Sequence, residues 1–125
     1  MTQEELDKQG LFKGKSIRVC KKSIGVMLES LLPTENVIIA INCNIGSTNT
    51  PGVLTLTDKR LIFTSKVLFT VVRHDFPLKN ITSLSLGSAF SNKLIIDSFS
   101  LSMTITAIDR KVAQDIINQF HSLTL

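Results

Sequence analysis

The sequence predicts a mainly-β fold of the α+β class. We expect an open barrel of seven antiparallel strands, capped by a C-terminal helix and preceded by an extra N-terminal amphipathic helix. Three observations lead there. The hydrophobic period changes from near 3.6 to 2 after Pro33, seven β-branched runs then follow with joints too short for crossover helices, and the helical period returns after Asp109. At 125 residues the chain fits one domain, large enough to bury a core without covalent staples.

Residues 1–14 contain Gly10 and Gly14 and no apolar periodicity beyond Leu6, Leu11 and Phe12, so they read as an arm with one helical turn at most. From Lys15 to Leu32, Ile17, Cys20, Ile24, Met27, Leu28, Leu31 and Leu32 recur three and four apart, which predicts a helix with Lys15, Arg18, Lys22 and Glu29 on its polar side. Gly25 inside it costs about 1 kcal/mol relative to alanine and marks close packing or a kink. Pro33 ends the helix. The arm and helix thus take residues 1–33, and the β-rich domain takes 34–125.

The strands are expected at 36–45, 52–57, 60–67, 69–77, 80–86, 93–98 and 100–106, pairing consecutively as an antiparallel meander. The stretch GVLTLTDKRLIFTSK (52–66) fixes a register. If Asp58 and Lys59 form a two-residue turn, Leu56 faces Leu61, Thr55 faces Ile62 and Leu54 faces Phe63. Leu54, Leu56, Leu61 and Phe63 then share the core face, while Thr55, Thr57, Arg60 and Ile62 share the other. Phe69, Phe76, Phe90 and Phe99 are expected to fill the barrel or anchor loops; an exposed Phe90 would instead mark a contact surface. Asp109 offers an N-cap to a last helix whose Val112, Ala113, Ile116, Ile117, Phe120 and Leu123 form the face that plugs the barrel.

No apolar run approaches the roughly 20 residues of a membrane-spanning helix. The acidic start MTQEELDKQG lacks the layout of a secretory signal, and a cytoplasmic place of action is expected. Cys20 and Cys43 have no metal or redox spacing and read as free buried thiols. The net charge of +4 is concentrated in Lys13, Lys15, Arg18, Lys21 and Lys22, a field that favours anionic partners.

Catalysis has little to stand on. His74 and His121 lie far apart, no serine or cysteine stands in a nucleophile motif, and His74 and Asp75 alternate across a strand. Two His and two Cys fit no zinc pattern, and no glycine-rich phosphate loop is present, so no metal or cofactor is expected. Nucleic-acid binding is not expected either, since Tyr and Trp are absent and basic residues are not interleaved with aromatics.

The run GVLTLTDKRLIF, followed by FPLKNITSLSL and KLIIDSFSLSMTITAI, resembles the bacterial pleckstrin-homology-like (PH-like) domains, with the YokE-like group nearest and GRAM domains more distant. The resemblance covers residues 34–122 and implies a scaffold that binds rather than transforms. Phosphoinositide-binding members of that fold use a basic cluster around the first strand–strand loop. Here that loop reads NCNIGSTNTPG, with no Lys or Arg, so inositol phosphates are not expected as ligands.

Two functions are therefore weighed. The first is a non-enzymatic module for protein–protein interaction or self-assembly, docking by an edge strand or the N-terminal helix. The second is a peripheral module at the inner face of a membrane, holding anionic lipid through the basic helix. The candidate anion or partner contacts are Lys15, Arg18, Lys22, Lys59 and Arg60.

Overall fold

The computed structural model describes residues 1–14 and 17–125. A short helix α1 (Gln3–Lys8) opens the chain, fixed by a capping box in which the Thr2 hydroxyl accepts from the Glu5 N–H and the Glu5 carboxylate accepts from the Thr2 N–H. Helix α2 (Lys21–Ser30) follows, and Cys20 at its N-cap supplies no side-chain bond. The 3.6 period predicted a helix from Lys15 to Leu32. Instead, residues 17–20 form tight turns, with the Cys20 N–H bonded to the Ile17 carbonyl, and Lys15 lies outside the described residues. The run of cations explains the late start. Like charges three and four apart repel along a helix, and positive charge is unfavourable at its N-terminal end.

Seven strands come next: β1 (Val37–Ile45), β2 (Thr50–Thr57), β3 (Arg60–Val67), β4 (Thr70–Pro77), β5 (Ile81–Leu86), β6 (Leu94–Ser98) and β7 (Ser102–Thr106). The predicted hairpin register holds, with Leu56 opposite Leu61, Thr55 opposite Ile62 and Leu54 opposite Phe63. The meander does not hold throughout. The sheet order is β4-β3-β2-β1-β7-β6-β5, so β4 and β5 never pair and β1 pairs with β7 instead. The chain turns that corner at Pro77, which has no N–H to give a ladder, and through the 3-10 turn Leu78–Asn80.

The β1–β7 pairing is short, reaching only Asn44–Thr106 and Ile45–Ile105. Further along β1 the arm takes over the free edge: the Ala40 N–H donates to the Leu11 carbonyl and the Lys13 N–H to the Ala40 carbonyl, at 2.9 and 2.8 Å. This meets the need of buried backbone groups for partners. The N-terminal segment is thus built onto the sheet.

Two cores result. The inner one holds Leu54, Leu56, Leu61, Phe63, Ile96 and Ile105, closed by Ile116 and Phe120 of helix α3 (Arg110–Thr124), whose N-cap Asp109 accepts from the Val112 N–H at 3.1 Å. The outer one lies on the opposite face of β2 and β3, where Ile24 and Met27 of α2 and Leu6 of α1 pack on Ala40 and Val53. So Thr55, Ile62 and Thr64, on the face away from the barrel interior, are as buried as their neighbours. The apolar side of α2 rests on its own sheet. Hydrogen bonds fix it there: the Thr64 hydroxyl donates to the Ser23 carbonyl and the Lys66 N–H to the Ser23 hydroxyl, at 2.8 and 3.0 Å.

Of the four phenylalanines expected to fill the barrel or anchor loops, Phe76 is buried, while Phe69 and Phe99 are exposed, as is Phe90, whose exposure was the sign of a contact surface. Each exposed ring sits on a connection beyond the last sheet pairing, where no neighbouring strand reaches to cover it.

Because Leu56 and Phe63 are fully buried, replacing either by alanine will cost about 2–5 kcal/mol in lost transfer energy and residual cavity. Thr55 gives the opposite sign. Its buried hydroxyl has no partner, so Thr55→Val will raise stability by about 1 kcal/mol. Thermal melts read both, and a Phe63→Ala protein melting with wild type would put Phe63 outside the core.

Candidate functional site

The two basic residues of the β2–β3 turn separate. Arg60 begins β3 on the outer face, and its guanidinium forks onto Glu35 with Nε–Oε2 at 2.8 Å and Nη2–Oε1 at 2.9 Å. Nη2 also donates to the Ser30 carbonyl at the end of α2, and Nη1 meets Asp75 of β4 at 3.0 Å. Glu35 is completed by the Thr57 hydroxyl at 2.6 Å and the Leu32 N–H at 3.1 Å. The Glu35 side chain is inaccessible to solvent and that of Arg60 nearly so. One guanidinium therefore ties α2, the loop after it, β3 and β4 together.

Burial by itself would raise the Glu35 carboxyl, but the Arg60, Thr57 and Leu32 hydrogen bonds and the Arg60 charge outweigh it and hold the group below its ordinary value. Asp75 is likewise pushed up by burial and pulled further down by Arg73 and Arg60. The same carboxylates hold the Arg60 guanidinium above its usual range. All three guanidinium nitrogens of this arginine donate to partners within the fold.

Lys59, by contrast, is exposed at the turn itself, beside Leu78 and Leu123. It sits at the end of the barrel capped by α3. Arg18 and Lys22 are exposed at the other end: the first turn of α2 is pinned through Ser23 to Lys66, near the end of β3. The structure thus keeps Arg18 and Lys22 apart from Lys59 and Arg60.

That other end is open. Because β1 runs antiparallel to both β2 and β7, the β1–β2, β3–β4 and β6–β7 turns come together there. They surround a cleft of about 640 Å³ lined by Ile45, Thr48, Val72, His74, Leu101 and Met103. The β1–β2 turn offers only small polar groups, with Asn44 donating to Asn49 and the Thr48 and Thr50 hydroxyls paired. The other two turns are apolar. Leu68 and Phe69 form the β3–β4 tip, 77% and 99% exposed, and Phe99 and Leu101 stand on the β6–β7 turn at 78% and 44%. Reading Phe69 and Phe99 as buried anchors hid this surface. The signal that could have found it is the two-residue gap between the β3 and β4 pairings, which forces Leu68 and Phe69 outward.

Nucleophilic chemistry has no footing at the thiols. Burial pushes Cys43 up to about 12 and also raises Cys20. His74 and Asp75 face opposite sides of β4, paired with Phe63 and Ile62 respectively. Among the described residues, no three His, Cys, Asp or Glu side chains stand close enough together to hold a metal ion.

Breaking the Glu35–Arg60 pair from one side leaves a buried charge, so Arg60→Ala will cost about 3–5 kcal/mol near neutral pH. In wild type, Glu35 and Asp75 have native values below their unfolded ones, about 4.3 and 3.9. Their contribution is complete above those values and is lost as pH falls through the native ones. Without the arginine, burial raises Glu35, so acid neutralises it and removes its penalty. The stability gap between variant and wild type will narrow as pH falls. Urea titrations across the acid range measure it, and a gap independent of pH would contradict the clamp.

The fold and these sites can be set beside known proteins. No curated protein sequence matches the chain significantly. Similar solved structures include the C-terminal domain of an unknown protein from Leishmania infantum, at 16% identity and a TM-score of 0.59, covering 81% of this chain and 94% of that one. The Vps36 N-terminal PH domain is also similar, at 16% identity and a TM-score of 0.58, with 74% and 84% covered. The linker-DH/PH domains of p115-RhoGEF match at 8% identity and a TM-score of 0.61 over 97% of this chain and 38% of that one. At such identities the likeness concerns the fold alone. The sequence model of one family, described as bacterial PH domain, matches residues 31–121, from the end of α2 to the last turns of α3, and the chain belongs to that family.

Proposed function

We propose that the chain is a non-enzymatic binding module that docks through the open rim of its barrel. The β3–β4 tip carries this reading. A two-residue hairpin turn with positive φ at its first position is the place of glycine or asparagine, yet here Leu68 holds φ 56° and Phe69 follows, both in water. Turn propensity and solubility both oppose that pair, and a contact made by the tip offsets them. The apolar wall of the cleft, Ile45, Val72, Leu101 and Met103, is of a kind that suits binding. The free thiols Cys20 and Cys43 fit a cytoplasmic place of action, and GVLTLTDKRLIF supports a place among the YokE-like members.

Docking through the apolar side of α2 is set aside, because Ile24 and Met27 are already covered by β2 and β3. A second reading keeps self-assembly through a strand edge. It is favoured by β4, an eight-residue strand at the end of the sheet order whose sheet neighbour among the described residues is β3 alone. Two copies joined there would continue one sheet through the other.

The two readings part experimentally. Anilinonaphthalene sulfonate, which brightens on apolar surface, will report the native rim, and Leu68→Ser with Phe69→Ser will remove most of the signal while leaving the melt unchanged. Equal enhancement in both proteins would place the contact surface elsewhere. Under the second reading, light scattering at high micromolar concentration gives a dimer mass that Val71→Lys, a charge on the exposed β4 strand, reduces to the monomer. A monomer mass for wild type would remove that reading.

A further inference from the structure

Resting on the rim reading, we propose that the rim's partner is an anionic membrane surface, into which Leu68 and Phe69 insert while Arg18, Lys21, Lys22 and Lys66 meet the lipid phosphates. Lys66 precedes the tip by two residues and lies on the outer side of β3, opposite Val71. Its backbone is bonded to Ser23, so Lys21 and Lys22 open α2 beside it, and Arg18 stands in the turn just before. All four cations are exposed, and none takes part in the ion pairs found among the described residues. Val19, also exposed, lines with Lys66 and Val67 the small hollow between this collar and the sheet. The apolar tip is therefore collared by positive charge on one side.

The acids nearby are few. Glu4, Glu5 and Asp7 lie on α1, which packs beside α2, and Asp97, near the second tip, is held by hydrogen bonds from Ser83 and Ser102. Phe99 and Leu101 supply that second apolar contact across the cleft, and two contacts set the tilt of a domain on a surface. Between them Ser47, Thr48 and Asn49 bring hydroxyls and amides suited to the hydrated headgroup layer.

A protruding two-residue tip favours lipid over a protein partner. A protein must present a matching hollow, whereas the bilayer interface receives apolar side chains without one, and charge complementarity selects the anionic surface. Each cation near such a surface strengthens binding by roughly fivefold, and salt weakens it. No helix among the described residues is long and apolar enough to cross a membrane.

The test is co-sedimentation of the full chain with vesicles of equal parts phosphatidylcholine and phosphatidylglycerol, beside pure phosphatidylcholine, at low and moderate salt. The chain has no tryptophan, so Phe69→Trp adds a unique emission reporter. Binding to the anionic vesicles is expected, reduced by salt and not competed by glycerol phosphate at matched phosphate concentration. The emission of the introduced tryptophan will shift to the blue with those vesicles and stay unchanged with phosphatidylcholine alone. Leu68→Ser with Phe69→Ser will weaken partition at least about tenfold. Lys21→Glu with Lys22→Glu will weaken it too and flatten its salt dependence. Equal binding to both vesicle types would overturn the anionic surface, as would competition by free glycerol phosphate, and wild-type partition by the tip variant would overturn insertion. If anilinonaphthalene sulfonate marks the tip but neither vesicle binds, the rim reading stands and this inference falls to a protein partner.

Discussion

The fork between Arg60 and Glu35 is the constraint on which much of the rest depends. A carboxylate with no access to water is tolerable only if its charge is met and its lone pairs are filled, and Arg60, Thr57 and the Leu32 N–H do both. Because the same guanidinium also binds the last turn of α2 and the β4 carboxylate Asp75, it fixes where the helix lies. With α2 in place the outer face of β2 and β3 becomes interior, which is why threonines there are buried. The hairpin is packed from both sides. Once that happens, neither its outer face nor the apolar side of α2 is free to act as a contact surface.

The end of the barrel farthest from α3 carries the exposed turns on which the proposed docking rests. The capped end holds α3 and the β2–β3 turn, and the open end holds turns with little to pack on, while Phe90 is exposed apart from that rim on the β5–β6 connection that Arg110 of α3 holds. Such a division is common where a rigid scaffold presents loops, because a tip that contributes little to the core can change without loss of the fold. Leu68 in a left-handed conformation fits this, since local strain persists only where long paired strands enforce it. Eight consecutive pairs between β3 and β4 supply that enforcement.

How much of this the sequence disclosed follows from the range of the interaction concerned. The β2–β3 register was legible because side-chain alternation and a short turn are both local, and Leu54 opposite Phe63 needed nothing else. The third helix was legible through Asp109 and its apolar spacing. The β1–β7 closure joins residues some sixty positions apart and leaves no periodic trace, while Pro77-Leu78-Lys79-Asn80 looks like any other short joint although it turns the chain out of the sheet order. Helical periodicity overran its true start because Ile17 and Cys20 kept the apolar spacing while clustered cations opposed the backbone. Arg60 was placed on the correct face, but its partner stands 25 residues earlier, in a loop where nothing distinguishes Glu35 from a solvated acid. Phe69 and Phe99 misled for a different reason. Apolar residues usually mark the interior, but much of any folded surface is apolar as well, so only the geometry of the turn tells the two apart.

The lysine and arginine adjacent in TDKRLIF show why charge read from sequence does not by itself locate a site. Their fates divide at the first residue of a strand: Lys59 ends a turn in water, and Arg60 begins a strand whose outer face is roofed by a helix. A cation under a roof must find carboxylates, and the hydrogen bonds Arg60 makes there commit most of its donors to the fold. Cations at the start of α2 meet the opposite condition, because the helix presents them outward from a turn that has no acid of its own. Position relative to the roof thus decides which positive charges serve the fold and which remain available to a partner. Of the available ones, Lys59 stands at the capped end, whereas Arg18, Lys21, Lys22 and Lys66 gather on the side of the exposed apolar tip.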